Sequence, residues 1–335
     1  MATNSSNFLV WIFLFLAIQL EAGKRKVLLI GIDGVRSDVL QIARTPNIDF
    51  IAENGFGTFE SWHQDITISA PSWSSILCGV YHNKHGVLNN SFNGSRYDKY
   101  PMLCTLGKQV NPDLKFGMYM EWSKFRRVNE SLGWDQIITG SLGRTEKTTT
   151  EAKEWVVSTD LDFYFVYLAA ADLIGHILGF SQYNPFYVNA IENIDHSVGV
   201  LINALKERPQ YMEEDWLILV TTDHGGQLLN HGGYSQAERQ VFWFAYNDRI
   251  KQCLQIGVDM GNCNDISNPI CFPVRPACPV QPDIAVTALH HLLYDQGWKP
   301  ECCDAWSLDG YSWLSSMGLD CDKNYNPVLV VNDQW

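Results

Sequence analysis

The 335-residue chain has no Pro/Ser/Gly-rich linker, no block of like charges, no internal repeat and no low-complexity tract. Those absences exclude repeat arrays and fibrous or disordered classes, and they favour one folded unit over domains on tethers. Basic residues are scarce, with 24 Lys and Arg against 37 Asp and Glu and a formal net charge of −13. A nucleic-acid backbone is held by clustered Lys and Arg, so nucleic-acid binding is not expected. A small phosphorylated substrate is not excluded. No multispan apolar segment occurs, so no stable membrane span is expected. The nine cysteines include no CxxC pair, and vicinal Cys302-Cys303 suits a tetrahedral zinc site poorly.

Apolar residues are plentiful, at 46% of the chain, enough for one sizeable core. Phe8 to Leu20 has the length of a signal-peptide core, with Ala22 or Gly23 as a small-residue cleavage point. Residues 1–22 are therefore read as a signal peptide and the protein as secreted. Met1 to Asn7 carries no Lys or Arg, which leaves an uncleaved anchor as the alternative. Residues 23–335 are read as a single catalytic domain. Its last quarter, about 253–321, is rich in cysteine, proline and asparagine and reads as a disulfide-stapled segment. Cys78 lies in an apolar helical run and reads as a buried free thiol, which leaves eight cysteines for four bridges. Asn89, Asn93 and Asn129 begin glycosylation sequons.

Strands are expected at about 26–32, 115–121, 162–170, 216–222 and 241–246. Helical patterns fall near 46–53, 71–79, 147–157, 186–207 and 282–295. This alternation predicts an α/β fold, a three-layer αβα sandwich around a mostly parallel sheet. Two of the apolar runs end in carboxylates, Val27 to Ile32 in Asp33 and Trp216 to Thr222 in Asp223-His224. The carboxyl ends of buried parallel strands are where such sheets place ligands.

A third strand, Phe163 to Leu168, leads to Asp172 and His176, four residues apart and so on one helical face. His231 follows soon after Asp223-His224. Oxygen and nitrogen donors in that mixture suit zinc or a neighbouring transition ion, and three Asp with three His suffice for two metals. His63, His82, His85, His196, His290 and His291 lack that context and read as ordinary core or surface histidines. Ser69 precedes Ala70-Pro71 at a helix start, where backbone amides favour an anion. Trp62, Trp73, Tyr119 and Trp122 are either core packing or a stacking face for an aromatic substrate group.

In order, Gly31-Ile-Asp33-Gly34, Thr67-Ile-Ser69-Ala-Pro71, His85-Gly86-Val-Leu-Asn-Asn90, Asp172-xx-Gly-His176-xx-Gly179, Asp223-His224-Gly225 and His231-Gly-Gly resemble the alkaline phosphatase superfamily. The branch they resemble is the type I phosphodiesterase and nucleotide pyrophosphatase group, over about residues 26–315. The resemblance implies a secreted metal-dependent phosphodiesterase with two zinc ions and a phosphoserine intermediate. Asp172, His176 and His231 would hold one zinc, and Asp33, Asp223, His224 and Ser69 the other. Ser69 would be the nucleophile, with Thr67 as an out-of-register rival. Asn90 and the amide after Ser69 would bind a non-bridging phosphate oxygen.

Departures from the pattern matter. That branch usually carries Thr as nucleophile and its third His far downstream; here the residues are Ser69 and His231. The Cys and Arg that sulfatases need are replaced by Ser69 and Trp73. A phosphomonoesterase, an ethanolamine-phosphate-type transferase and a catalytically silent extracellular matrix or binding protein remain alternatives.

Overall fold

The computed structural model describes residues 23–63, 66–129, 132–255, 278–298 and 303–319. The signal-peptide segment and most of the Cys-rich segment lie outside them.

Among the described residues eight strands form one sheet: β1 (Lys24–Ile32), β2 (Phe56–Trp62), β3 (Phe116–Met120), β4 (Gln136–Thr139), β5 (Phe163–Leu168), β6 (Glu214–Thr222), β7 (Gln240–Tyr246) and β8 (Cys253–Leu254). Their spatial order is β4-β3-β5-β1-β6-β7-β2-β8, parallel throughout except that β7 runs antiparallel to both β6 and β2. The three central strands, β5, β1 and β6, are the continuous apolar runs of the sequence. Both of their faces are covered, which is why they do not alternate polar with apolar.

Alternate residues of β1 enter different cores: Val27 and Leu29 face one cluster, Leu28, Ile30 and Ile32 the other. The first core is closed by α3 (Ser69–Cys78), α5 (Leu103–Val110) and α11 (Asp283–Leu293). The second is closed by α1 (Ser37–Leu40), α2 (Pro46–Asn54), α7 (Thr145–Ser158), α8 (Ala170–Leu178) and α9 (Pro185–Lys206). Short helices α4 (His82–His85), α6 (Ser123–Asn129), α10 (Gln236–Arg239) and α12 (Cys303–Trp306) lie in the connections. The expected three-layer αβα sandwich is thus the observed one. Among the described residues no helix is long and apolar enough to cross a membrane.

Cys78 is a buried free thiol, as the sequence suggested. The four-bridge expectation fails at Cys104 and Cys253, which are both unbridged. The Cys104 thiol donates to Leu132 O at 2.9 Å from inside the first core, and the Cys253 sulfur accepts from Gln255 Nε2 at 2.8 Å. Cys263, Cys271, Cys302 and Cys321 lie outside the described residues.

Candidate metal-dependent active site

Register explains why the acidic groups meet. Ile32 of β1 pairs with Leu168 of β5 on one side and Thr222 of β6 on the other. The next residues, Asp33, Ala169 and Asp223, therefore leave the sheet at one level. Ala169 opens α8, whose first turn carries Asp172 and whose next brings His176 onto the same face, with His176 Nε2 3.4 Å from Asp172 Oδ2. Gly34 has φ +69°, and a Cβ there would stand 2.6 Å from that of Asp172. Only glycine lets the turn after Asp33 pass so close.

The helix that carries Ser69 arrives from the other layer. Trp73 of α3 is fully buried against Phe165 and Tyr167. It can lie there because Gly31 has no side chain; a Cβ would sit 2.4 Å from the indole. That seating places Ser69, in the first turn of α3, with its Oγ 3.2 Å from His224 Nε2.

Each carboxylate has one buried oxygen left without a hydrogen-bond partner. Asp223 Oδ1 accepts from the Gly34 and His224 amides at 3.1 and 3.0 Å, and Asp33 Oδ2 accepts from the Tyr167 hydroxyl. Asp33 Oδ1, Asp172 Oδ1 and Asp223 Oδ2 are buried without a hydrogen-bond partner. The histidines are arranged the same way. Nδ1 of His224, His231 and His176 lies 2.8, 2.8 and 2.9 Å from the carbonyls of Gly225, Thr67 and Leu229. A carbonyl only accepts, so each Nδ1 carries the proton and each Nε2 keeps its lone pair, the usual arrangement behind a metal ligand.

The three Nε2 atoms face the orphan oxygens. His224 Nε2 is 3.3 Å from Asp223 Oδ2 and 3.7 Å from Asp33 Oδ1, and His231 Nε2 is 3.7 Å from Asp172 Oδ1. His176 Nε2 and His231 Nε2 lie 3.1 Å apart, so in the neutral Nδ1–H rings two lone pairs face a position that a cation would fill. Two groups emerge that could hold a metal ion, Asp33 with Asp223 and His224, and Asp172 with His224 and His231. His224 sits between them, stacked on His231 at 3.7 Å. His176 lies beside the second group at its exposed edge, its Nε2 3.4 Å from Asp172 Oδ2 and 3.1 Å from His231 Nε2.

Electrostatics agree with this reading. Burial, then the neighbouring Asp223 and Asp172, pushes the Asp33 carboxyl well above its usual range. Burial and Asp223 raise Asp172 to about 8, and burial raises Asp223 to about 7. Burial and His224 lower His231 to about 2, and burial also depresses His224. Carboxylates that resist ionising and imidazoles that resist protonation make a site short of positive charge.

Asn90 lies beside this cluster, and its Oδ1 accepts from the Ala70 amide at 2.9 Å. All seven residues expected from the sequence, with Asn90, therefore converge on one crevice. The aromatic candidates divide: Trp62, Trp73 and Tyr119 are buried packing, and Trp122 is half-exposed, stacked on Phe125.

A family model for type I phosphodiesterase/nucleotide pyrophosphatase matches residues 27–115 and 112–249. The chain belongs to this family. It is 25% identical over 231 residues to human ectonucleotide pyrophosphatase/phosphodiesterase family member 7, covering 62% of this chain and 49% of that one. Human member 5 of the same group is 25% identical over 247 residues, 66% of this chain and 50% of that one. The chain thus spans about half the length of these relatives. Among solved structures, a 2-O GAG sulfatase superposes with TM-score 0.60 at 13% identity over 91% of this chain and 76% of that one, a likeness of fold alone.

Within this phosphodiesterase fold, several supporting residues escaped sequence reasoning. Tyr167 fixes Asp33 so that Oδ1 is left over. Tyr187 of α9 donates to Gly34 O at 2.6 Å and accepts from the Arg36 amide at 3.0 Å, which holds the Asp33 turn. Gln281 donates to the carbonyls of Thr222 and Asp223 at 3.1 and 2.5 Å. Glu238, in the capping box of α10, accepts from the Gly233 amide at 2.6 Å and shapes the His231 turn. Tyr167 and Tyr187 read as core aromatics in sequence, and nothing marked Gln281.

Thr67 is a staple. Its hydroxyl donates to Gly233 O at 2.8 Å and accepts from the Gly232 amide at 3.1 Å, while its carbonyl holds His231 Nδ1. With its hydroxyl so engaged, Thr67→Val should lower kcat/KM for a phosphodiester about 10- to 100-fold through a loosened His231. Steady-state kinetics check this; a loss as deep as that of a Ser69 variant would make Thr67 the nucleophile.

Proposed function

We propose that the protein is a secreted, zinc-dependent phosphodiesterase or nucleotide pyrophosphatase-type hydrolase that works through phosphorylated Ser69. The carrying observation is the convergence of three orphan carboxylate oxygens and three unprotonated Nε2 atoms beside the Ser69 hydroxyl. That donor set fits two zinc ions, on Asp33, Asp223, His224 and Ser69, and on Asp172, His176 and His231. Bound there, the ions would lower the pKa of the attacking hydroxyl and offset charge on the phosphate oxygens.

The chain's own residues supply the rest. Ser69 Oγ attacks phosphorus in line, its proton is lost, and the bond to the leaving alkoxide breaks. The first alcohol departs with a proton and a phosphoseryl diester remains. Water then attacks from the opposite side and releases a phosphate monoester and free Ser69. The Ala70 amide and Asn90 hold one equatorial oxygen. Because Asn90 Oδ1 now accepts from that amide, the side chain must turn so that Nδ2 and the Ala70 N–H both donate to substrate.

Arg36, the arginine nearest the Asp33 turn in sequence, is occupied by Asp38 and by Phe180 O. It is therefore not a clamp for a doubly charged phosphate, and this favours a diester or phosphoanhydride over a monoester. Bis-p-nitrophenyl phosphate should be hydrolysed faster than p-nitrophenyl phosphate, with chelator abolishing both. Faster monoester turnover would reverse the preference. Hydrolysis of neither ester by protein holding two zinc ions would leave the binding-protein reading instead.

A further inference from the structure

Beside the His176 edge of the metal cluster stands a group of exposed apolar side chains. Ile177 and Leu178 end α8, Tyr183 lies in the turn to α9, Phe186 is in the first turn of α9, and Leu228 and Leu229 form the tip of a two-residue hairpin. Tyr183 is 86% exposed, Leu228 81% and Ile177 68%. Hydrogen bonds join the two segments: Phe180 N donates to Leu228 O at 2.8 Å, and His176 Nδ1 to Leu229 O at 2.9 Å. The second bond ties the tip directly to a residue of the metal cluster.

The tip is built against local preference. Leu228 has φ +55°, in the left-handed region where a branched side chain is strained and where two-residue hairpins normally place Gly or Asn. A strained leucine held out in water signals a demand other than folding. Charge narrows the occupant. No Lys, Arg, Asp or Glu occurs from Leu173 to Ile191 or from His224 to Ala237, although 18% of the chain is charged. Without basic residues, and with net charge −13, the face is unsuited to an anionic membrane. Its most exposed side chains stand at a hairpin tip and at a helix end, positions that suit insertion into a deformable interface. A rigid partner seated permanently there would also cover the His176 edge of the metal centre.

We propose that this rim docks on a zwitterionic lipid–water interface and so presents the metal centre to phosphodiester headgroups. Its use rests on the phosphodiesterase reading, whereas its existence does not. Full-length Ser69→Ala protein, which should not consume the lipid, is floated with phosphatidylcholine vesicles and followed by hydrogen exchange. Protection is expected over 173–187 and 226–231. Leu228→Asn/Leu229→Asn should lower partitioning at least about tenfold, without a lower Tm, because Asn accepts positive φ.

Four results would overturn the proposal. They are an unprotected rim, even in protein held on vesicles by another segment; equal partitioning of the double variant; tighter binding to vesicles containing phosphatidylserine; and a self-association lost in the variant without vesicle binding. A protected rim in a protein that hydrolyses neither ester keeps the docking surface and rejects the hydrolase.

Discussion

Alanine at position 69 should lower kcat for a phosphodiester by roughly 10⁴-fold or more, with zinc content and Tm close to those of the parent protein. The substitution removes one hydroxyl from a helix start that is otherwise intact. Ala70, Pro71 and the buried Trp73 still seat α3 on the sheet, and the three Asp and three His still face one another. What disappears is the oxygen 3.2 Å from His224 Nε2, and with it the covalent route. Water would have to attack the diester directly, without an atom pre-positioned in line. Ser69→Thr should stay within about tenfold of the parent, since Thr carries the same hydroxyl and is tolerated at a helix start. Acid-quenched protein should carry on Ser69 the phosphoryl group with its remaining ester alcohol, as a phosphoseryl diester. An alanine variant retaining a tenth or more of the activity would move the nucleophile elsewhere.

The sequence revealed the parts of this site whose cause is local. The runs that became β1, β5 and β6 announce buried parallel strands, and the carboxylates at or just beyond their ends mark the crevice. Asp172 and His176 share a face because a helix repeats every 3.6 residues. Other parts were hidden because their cause is tertiary. β2 contains Gly57, Thr58, Glu60 and Ser61 and does not read as a strand; it exists because β7 offers it a ladder. β4 is four half-buried residues at the sheet's edge. The proton positions on three histidines depend on backbone carbonyls of Gly225, Thr67 and Leu229, which no side-chain pattern encodes. Gln281 reaches Asp223 O from 58 residues away along the chain. Thr67 lies out of register with Ser69-Ala-Pro71, which was readable, whereas its hydrogen bonds to Gly232, Gly233 and His231 were not.

Metal and pH should act on stability with opposite signs. Without metal, Asp33, Asp172 and Asp223 have raised pKa values, so the folded state binds more protons than the unfolded one above the ordinary carboxylate value of 3.8. Stability contributed by a raised group is lost as pH rises, here up to about 8, the value for Asp172. His224 and His231 work the other way, because their depressed values cost stability only below 6.5, where the unfolded imidazole gains a proton. Between pH 6.5 and 8 the carboxylates are therefore unopposed within the cluster. Chelated protein should lose on the order of 5 °C in Tm across that window. Zinc removes this slope, because it holds the carboxylates ionised and the imidazoles neutral, as they are in the unfolded chain above pH 6.5, and it displaces fewer protons as pH rises. With zinc about a thousandfold above its Kd, roughly 4 kcal/mol of added stability is expected, or on the order of 10 °C in Tm. The melting curves of chelated and zinc-loaded protein should therefore diverge from pH 6.5 to pH 8, and parallel curves would mean that zinc binds elsewhere.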